Sequence, residues 1–107
     1  MIEVKATPRF MRFVKKSMTH EALQALIDTL ALDPERGIIV RDTGGIRKIR
    51  WITGKGGGKR GGLRVLYYFD GKLLILLLTA FKKSDQEDIC ASEKVELRSL
   101  LDELLGD

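Results

Sequence analysis

The sequence predicts an α+β fold in the order β-α-α-β-β-β-α, with an antiparallel sheet and helices packed on one face. Apolar residues recur every three or four positions in 10–14, 23–30 and 97–105, the period of an amphipathic helix. Residues 46–52, 63–69 and 72–81 are instead dense in β-branched, aromatic and leucine side chains between turn signals, which is the signature of strands. A chain of 107 residues suits one domain with a single core, taken as residues 1–107.

Residues 2–5 alternate in polarity and read as a first strand. Thr7-Pro8 then has the form of a helix start, with a hydroxyl at the N-cap and proline at the first helical position. Phe10, Phe13 and Val14 share one face of that helix. A second start at Thr19 precedes Leu23, Leu26, Ile27 and Leu30, and Asp33-Pro34 ends the stripe. Ile46 to Ile52 mixes three isoleucines and Trp51 with charges, as a half-exposed strand does. Leu63 to Phe69 follows, and Asp70-Gly71 is a two-residue hairpin signal before Lys72 to Phe81. Ser84 and Glu87 have capping-box spacing, with Ser92 a further cap, ahead of the stripe Leu97, Leu100, Leu101, Leu104 and Leu105. That stripe should pack on the sheet or on a partner.

The longest wholly apolar run, Leu73 to Leu78, is far short of the roughly 20 residues of a membrane helix. The first five residues lack a charged start followed by an apolar stretch, so a cytoplasmic protein with no membrane partner is expected. Cys90 is the single cysteine, which excludes an internal disulfide and any multi-cysteine zinc site; it is expected to be a small, buried or half-buried residue. The formal charge of +4 is unevenly spread. From Arg41 to Arg64 eight basic residues face Asp42 alone, and from Asp85 onward eight acids face Lys94 and Arg98. A polyanion is therefore drawn to the middle of the chain.

The connection from Gly54 to Gly62 holds six glycines with Lys55, Lys59 and Arg60. Gly56, Gly58 and Gly61 match the dinucleotide-binding GxGxxG, but that motif joins a strand to a helix and here strands lie on both sides. Lys59 is followed by Arg60 where a phosphate-binding P-loop carries serine or threonine. Unobstructed backbone amides with mobile cations suit a phosphodiester backbone. Acid pairs are absent from this basic region, so no metal or other cofactor is expected.

Period-two alternation puts Lys48 and Arg50 on one face of their strand and Arg47, Ile49 and Trp51 on the other. Arg64 shares a face with Leu66 and Tyr68, whereas Leu63, Val65, Tyr67 and Phe69 should meet the helices. If the two charged sets align, Lys48, Arg50 and Arg64 converge on one surface. His20, the only histidine, sits beside the Thr19 cap and reads as local structure.

The stretch Thr43-Gly44-Gly45-Ile46-Arg47-Lys48-Ile49-Arg50, the loop from Gly54, the strand Leu63 to Phe69 and the segment Leu77-Leu78-Thr79-Ala80-Phe81-Lys82-Lys83 together resemble the RelE superfamily of bacterial type II toxins. Within it the lysine- and glycine-rich loop resembles the HigB-like branch. The resemblance implies cleavage of mRNA in the ribosomal A site, and a cognate antitoxin carrying a helix-turn-helix DNA-binding domain. It implies in-line attack of a ribose 2′-hydroxyl, with Arg64 stabilising charge on the phosphorane. Lys48 and Arg50 match a pair of strand lysines, the second being a permanently ionised arginine here. Lys83 matches a basic residue that serves the leaving oxygen. The catalytic set is thus Arg64, Lys83, Lys48 and Arg50, and the RNA contacts are Lys55, Lys59, Arg60, Arg47, Lys82 and Tyr68. A lysine among so many cations could act as a base near neutral pH. The C-terminal tyrosine of some relatives is replaced by Asp88-Ile89-Cys90.

Two other classes fit parts of the pattern. A ParE-like inhibitor of DNA gyrase would share the fold without cleaving RNA. A non-enzymatic nucleic-acid-binding module would account for the lack of a conventional acid-base pair.

Overall fold

The computed structural model describes residues 2–55 and 62–106. Strand β1 (Glu3–Ala6) leads into helix α1 (Pro8–Ser17), whose N-cap Thr7 accepts the Phe10 N–H at 2.9 Å and donates to the Leu78 carbonyl at 2.8 Å. The cap therefore starts the helix and ties it to the sheet. Thr19 accepts the Ala22 N–H at 3.1 Å at the start of α2 (His20–Leu32). Strands β2 (Ile38–Ile39), β3 (Arg47–Trp51), β4 (Leu63–Phe69) and β5 (Leu74–Lys82) follow, then α3 (Ala91–Leu104).

The sheet order is β1-β5-β4-β3-β2. Neighbours are antiparallel except β1, which lies parallel to β5 with Val4 beside Ile75. The predicted α+β order holds, with two additions: the short edge strand β2 and the parallel β1 that makes the sheet mixed. A two-residue strand has no period to read, and four alternating residues do not specify the direction of their partner.

Helices α1 and α2 cover one face, setting Phe10, Val14, Leu26 and Leu30 against Leu63, Val65, Tyr67, Ile75 and Leu77. Each large side chain buried there contributes about 1.5–3 kcal/mol. Helix α3 lies against part of the opposite face, where Leu97 and Leu101 join Ile46, Leu66, Leu76, Leu78, Phe81 and Ile89. A register shift opposite Leu66 and Tyr67 moves the β5 partner from Thr79 to Leu77, leaving Leu78 as a bulge residue. The bulge reverses the alternation, so Phe81 joins the α3 side although Ile75 and Leu77 face α1 and α2.

Three local expectations change. Asp70 Oδ1 accepts the N–H groups of Lys72, Leu73 and Leu74 at 2.8–3.0 Å, so β4 and β5 are joined through residues 70–73 and not by two residues alone. Ser84 caps no helix, because the Asp85 and Gln86 N–H groups bond back to the Lys82 carbonyl in a turn. Helix α3 instead has Cys90 at its N-cap, with Glu93 Oε1 accepting the Cys90 N–H at 2.8 Å. Cys90 is exposed, contrary to expectation, since a helix start at the surface and not the core claims it.

Candidate nucleic-acid interface

The β3–β4 register sets Arg50 directly opposite Arg64 and Lys48 opposite Leu66. Opposed residues in an antiparallel pair have Cα atoms about 4.5–5.5 Å apart and project to the same face. Like charges placed directly opposite are destabilising, by several tenths of a kcal/mol. The pair concentrates positive charge at one place on the sheet. Arg36, Lys48, Arg50 and Arg64 line an open depression of about 380 Å³, with Gly37 and Ile38 at its β2 edge. Arg64 also donates to the Leu63 carbonyl at 3.3 Å.

Three of the predicted catalytic residues, Lys48, Arg50 and Arg64, therefore share one surface. Lys83 follows β5, where the alternation after the bulge directs it to the Arg64 side. Its Nζ pairs with Glu87 at 3.0 Å, and Lys48 Nζ pairs with Asp88 at 2.9 Å. The Lys48 hydrogen bond, followed by the Ile89 N–H, holds the Asp88 carboxyl below the usual carboxylate range. The two lysines stand beside carboxylates, not in the all-cation surroundings that suggested a base.

The expected RNA contacts divide. Arg47 points to the helix-covered side and donates to the Glu35 and Gly37 carbonyls at 3.0 and 2.7 Å. Lys82 pairs in register with Leu63, whose side chain also faces α1 and α2. Tyr68 is on the Arg64 face, but four residues along β4, about 13 Å away, and packs on the α3 cluster. Lys55 Nζ donates to the Lys16 carbonyl at 3.1 Å, at the C-terminal end of α1. Lys59 and Arg60 lie outside the described residues. The glycine-rich connection is anchored at both ends: Gly54 (φ +82°) leaves no room for a Cβ against Thr19 and Ala22, and Gly62 (φ +55°) would place one 2.5 Å from the Trp51 carbonyl oxygen. His20 is exposed at the start of α2 and beside Met18 and Leu23.

Sequence reasoning did not select Arg36, Glu87 or Asp88. Arg36 is placed by β2, which carried no readable signal. The acids belong to a stretch whose negative charge suggested separation from the basic centre, and only the path from β5 to α3 brings them back.

The chain is thus a small α+β domain with a mixed sheet, one face under two helices and the other bearing α3 and an opposed arginine pair. Residues 3–106 match the family model described as the RelE toxin of the RelE/RelB toxin-antitoxin system. The chain belongs to this RelE toxin family. Its fold is similar to that of a mutant of the E. coli toxin RelE in the free state, with a TM-score of 0.60 and 18% identity over 89% of this chain and 95% of that one. Among the described residues no helix is long and apolar enough to cross a membrane.

Proposed function

We propose that this toxin is an endoribonuclease that cleaves mRNA held in the ribosomal A site, without a metal ion. The observation that carries the reading is the Arg50–Arg64 pair, opposed in register and bordered by Lys48 and Arg36 in a single depression. A phosphodiester seated there meets permanently charged guanidiniums whose planar forks match its oxygens. Attack of the ribose 2′-hydroxyl on the adjacent phosphorus forms a 2′,3′-cyclic phosphate and breaks the bond to the 5′-oxygen. The 2′-proton passes to water, Arg64 and Arg50 stabilise the doubly charged phosphorane, and Lys83 or Lys48 gives a proton to the departing 5′-oxygen. Preorganised donors of this kind act in the transition state more than in the ground state. The ribosome supplies the geometry that the chain lacks, by holding the codon ready for in-line attack. The cognate antitoxin, with a helix-turn-helix domain, covers the same cationic face.

Mapping of mRNA 5′ ends in a reconstituted translation reaction tests this, with the native chain, Arg64→Ala and a ribosome-free control. New ends only with the native chain and ribosomes are expected. Growth arrest on expression with no new ends would reject cleavage and direct attention to gyrase.

A further inference from the structure

The cationic face carries its own anions, and they are held in place. Asp88 Oδ2 lies 2.9 Å from Lys48 Nζ and Glu87 Oε2 lies 3.0 Å from Lys83 Nζ. Both acids belong to the segment between β5 and α3, which is tied down around Asp88. Asp88 Oδ1 accepts the Ile89 N–H at 2.8 Å, and Ile89 is buried beneath α3. Gln86 Nε2 donates to the Asp88 carbonyl at 3.0 Å and to Glu93 Oε1 at 3.2 Å. Asp88 is therefore a fixed counterion and not a mobile surface acid.

We propose that Asp88 and Glu87 are built-in competitors that occupy the phosphate positions on Lys48 and Lys83 and so weaken the binding of free RNA to this face. The proposal rests on the RNA-cleaving reading above. A phosphate that approaches either lysine must exchange with a carboxylate already at hydrogen-bond distance. Ion pairs as exposed as these are weak, so each exchange lowers affinity by about 2–5-fold. A loose single strand bears that loss together with the entropy of ordering its own backbone. A codon ordered by another body bears only the exchange, so the carboxylates lower the absolute affinity for free RNA while the ordering entropy sets the preference for the held codon.

The exchange also leaves a mark on salt dependence. Each phosphate neutralised on single-stranded RNA steepens the fall of log K with log salt by about 0.7. A displaced carboxylate recruits a cation of its own and reduces that slope.

The test uses the full chain and a short fluorescent oligouridylate, with anisotropy titrations over a series of NaCl concentrations. Asp88→Asn/Glu87→Gln keeps side-chain shape, and the Asn amide oxygen can still accept from Ile89. It should bind roughly 5–20-fold tighter than the native chain, the product of two exchanges, with a slope steeper by up to about 1.4. Asp102→Asn/Glu103→Gln makes the same charge change at exposed positions of α3 and should alter affinity less than about 2-fold, as surface charges at a distance do. Glu87→Gln alone, which removes no backbone hydrogen bond, should give part of the gain and keeps the test readable if the Asp88 substitution unfolds the segment. A gain no larger than the control's, or weaker binding, overturns the proposal while salt-dependent binding by the native chain leaves the RNA reading intact. Salt-independent binding by the native chain would remove both.

Discussion

Tyr67 links the core to the rim of the cationic depression, and deleting its hydroxyl should be felt in both. It is the largest of the fully buried side chains. Its hydroxyl donates to the Pro34 carbonyl and accepts the Gly37 N–H, each at 2.8 Å, and so pins the turn that precedes β2 and carries Arg36. Tyr67→Phe removes one oxygen and leaves the buried Gly37 N–H without its partner. A buried donor left unsatisfied costs about 1–3 kcal/mol, and the part-buried Pro34 carbonyl adds several tenths, for a total near 2–3 kcal/mol. With an unfolding entropy of about 2.1 cal/mol/K per residue, this corresponds to a fall in Tm of roughly 9–14 °C. Thermal melting by circular dichroism, with urea unfolding to confirm an unchanged m-value, measures it. A fall of under about 3 °C would refute the account of this hydroxyl. Burial raises the Tyr67 pKa despite the opposing pull of the Gly37 N–H and Arg47. The folded phenol keeps its proton to higher pH than the unfolded one, whose value is about 10. Its contribution is complete below that pH and is lost as pH rises through the folded value, so the native chain and Tyr67→Phe should converge in stability above about pH 10.

Arg50→Gln should lower ribosome-dependent cleavage about 10²-fold while stabilising the fold by several tenths of a kcal/mol, because it removes a like charge opposite Arg64; cleavage rates and urea midpoints read the two effects. Gly54→Ala imposes a left-handed conformation at about 1–2 kcal/mol and also overlaps Thr19, so a loss of roughly 2 kcal/mol or more is expected from thermal melting. The Leu74 N–H at Asp70, Lys48 at Asp88 and the Cys90 N–H at Glu93 are the main causes that hold these carboxyls below their usual range. Their stabilisation is therefore present above the unfolded values near 4 and lost as pH falls through the depressed ones. Asp70→Asn should flatten that acid limb in a series of melts from neutral to acidic pH.

The helices and long strands were legible because each carries its own period or cap. Thr7-Pro8 and Thr19 start their helices as read, and Leu63 to Phe69 matches β4 in both limits. What was not legible depends on contacts distant in sequence. The Ser84 capping box matched in spacing, but spacing does not show that residues 84–90 are drawn onto the α3 face of the sheet, where Ile89 enters the core and Cys90 begins α3. The bulge at Leu78 lies inside an unbroken apolar run, where no alternation exists to reveal a change of face. Arg36 had no place in the site until β2 supplied one.

The site depends on register more than on composition, and the residues that set the register sit on the other face. A one-residue slip of β3 against β4 would set Arg50 beside Leu63 or Val65 and turn Lys48 and Arg50 toward α1 and α2. Three hydrogen bonds from two side chains oppose that slip. Trp51 Nε1 donates to the Ala22 carbonyl at 2.9 Å at one end of β3, and Arg47 grips the Glu35 and Gly37 carbonyls at the other. Composition alone made Arg47 another RNA contact. Its position makes it an anchor: by fixing its own side chain to the turn before β2, it obliges Lys48 and Arg50, one and three residues on, to face the opposite way. Of the three cations in this short strand, two face the depression because the third is committed to the fold.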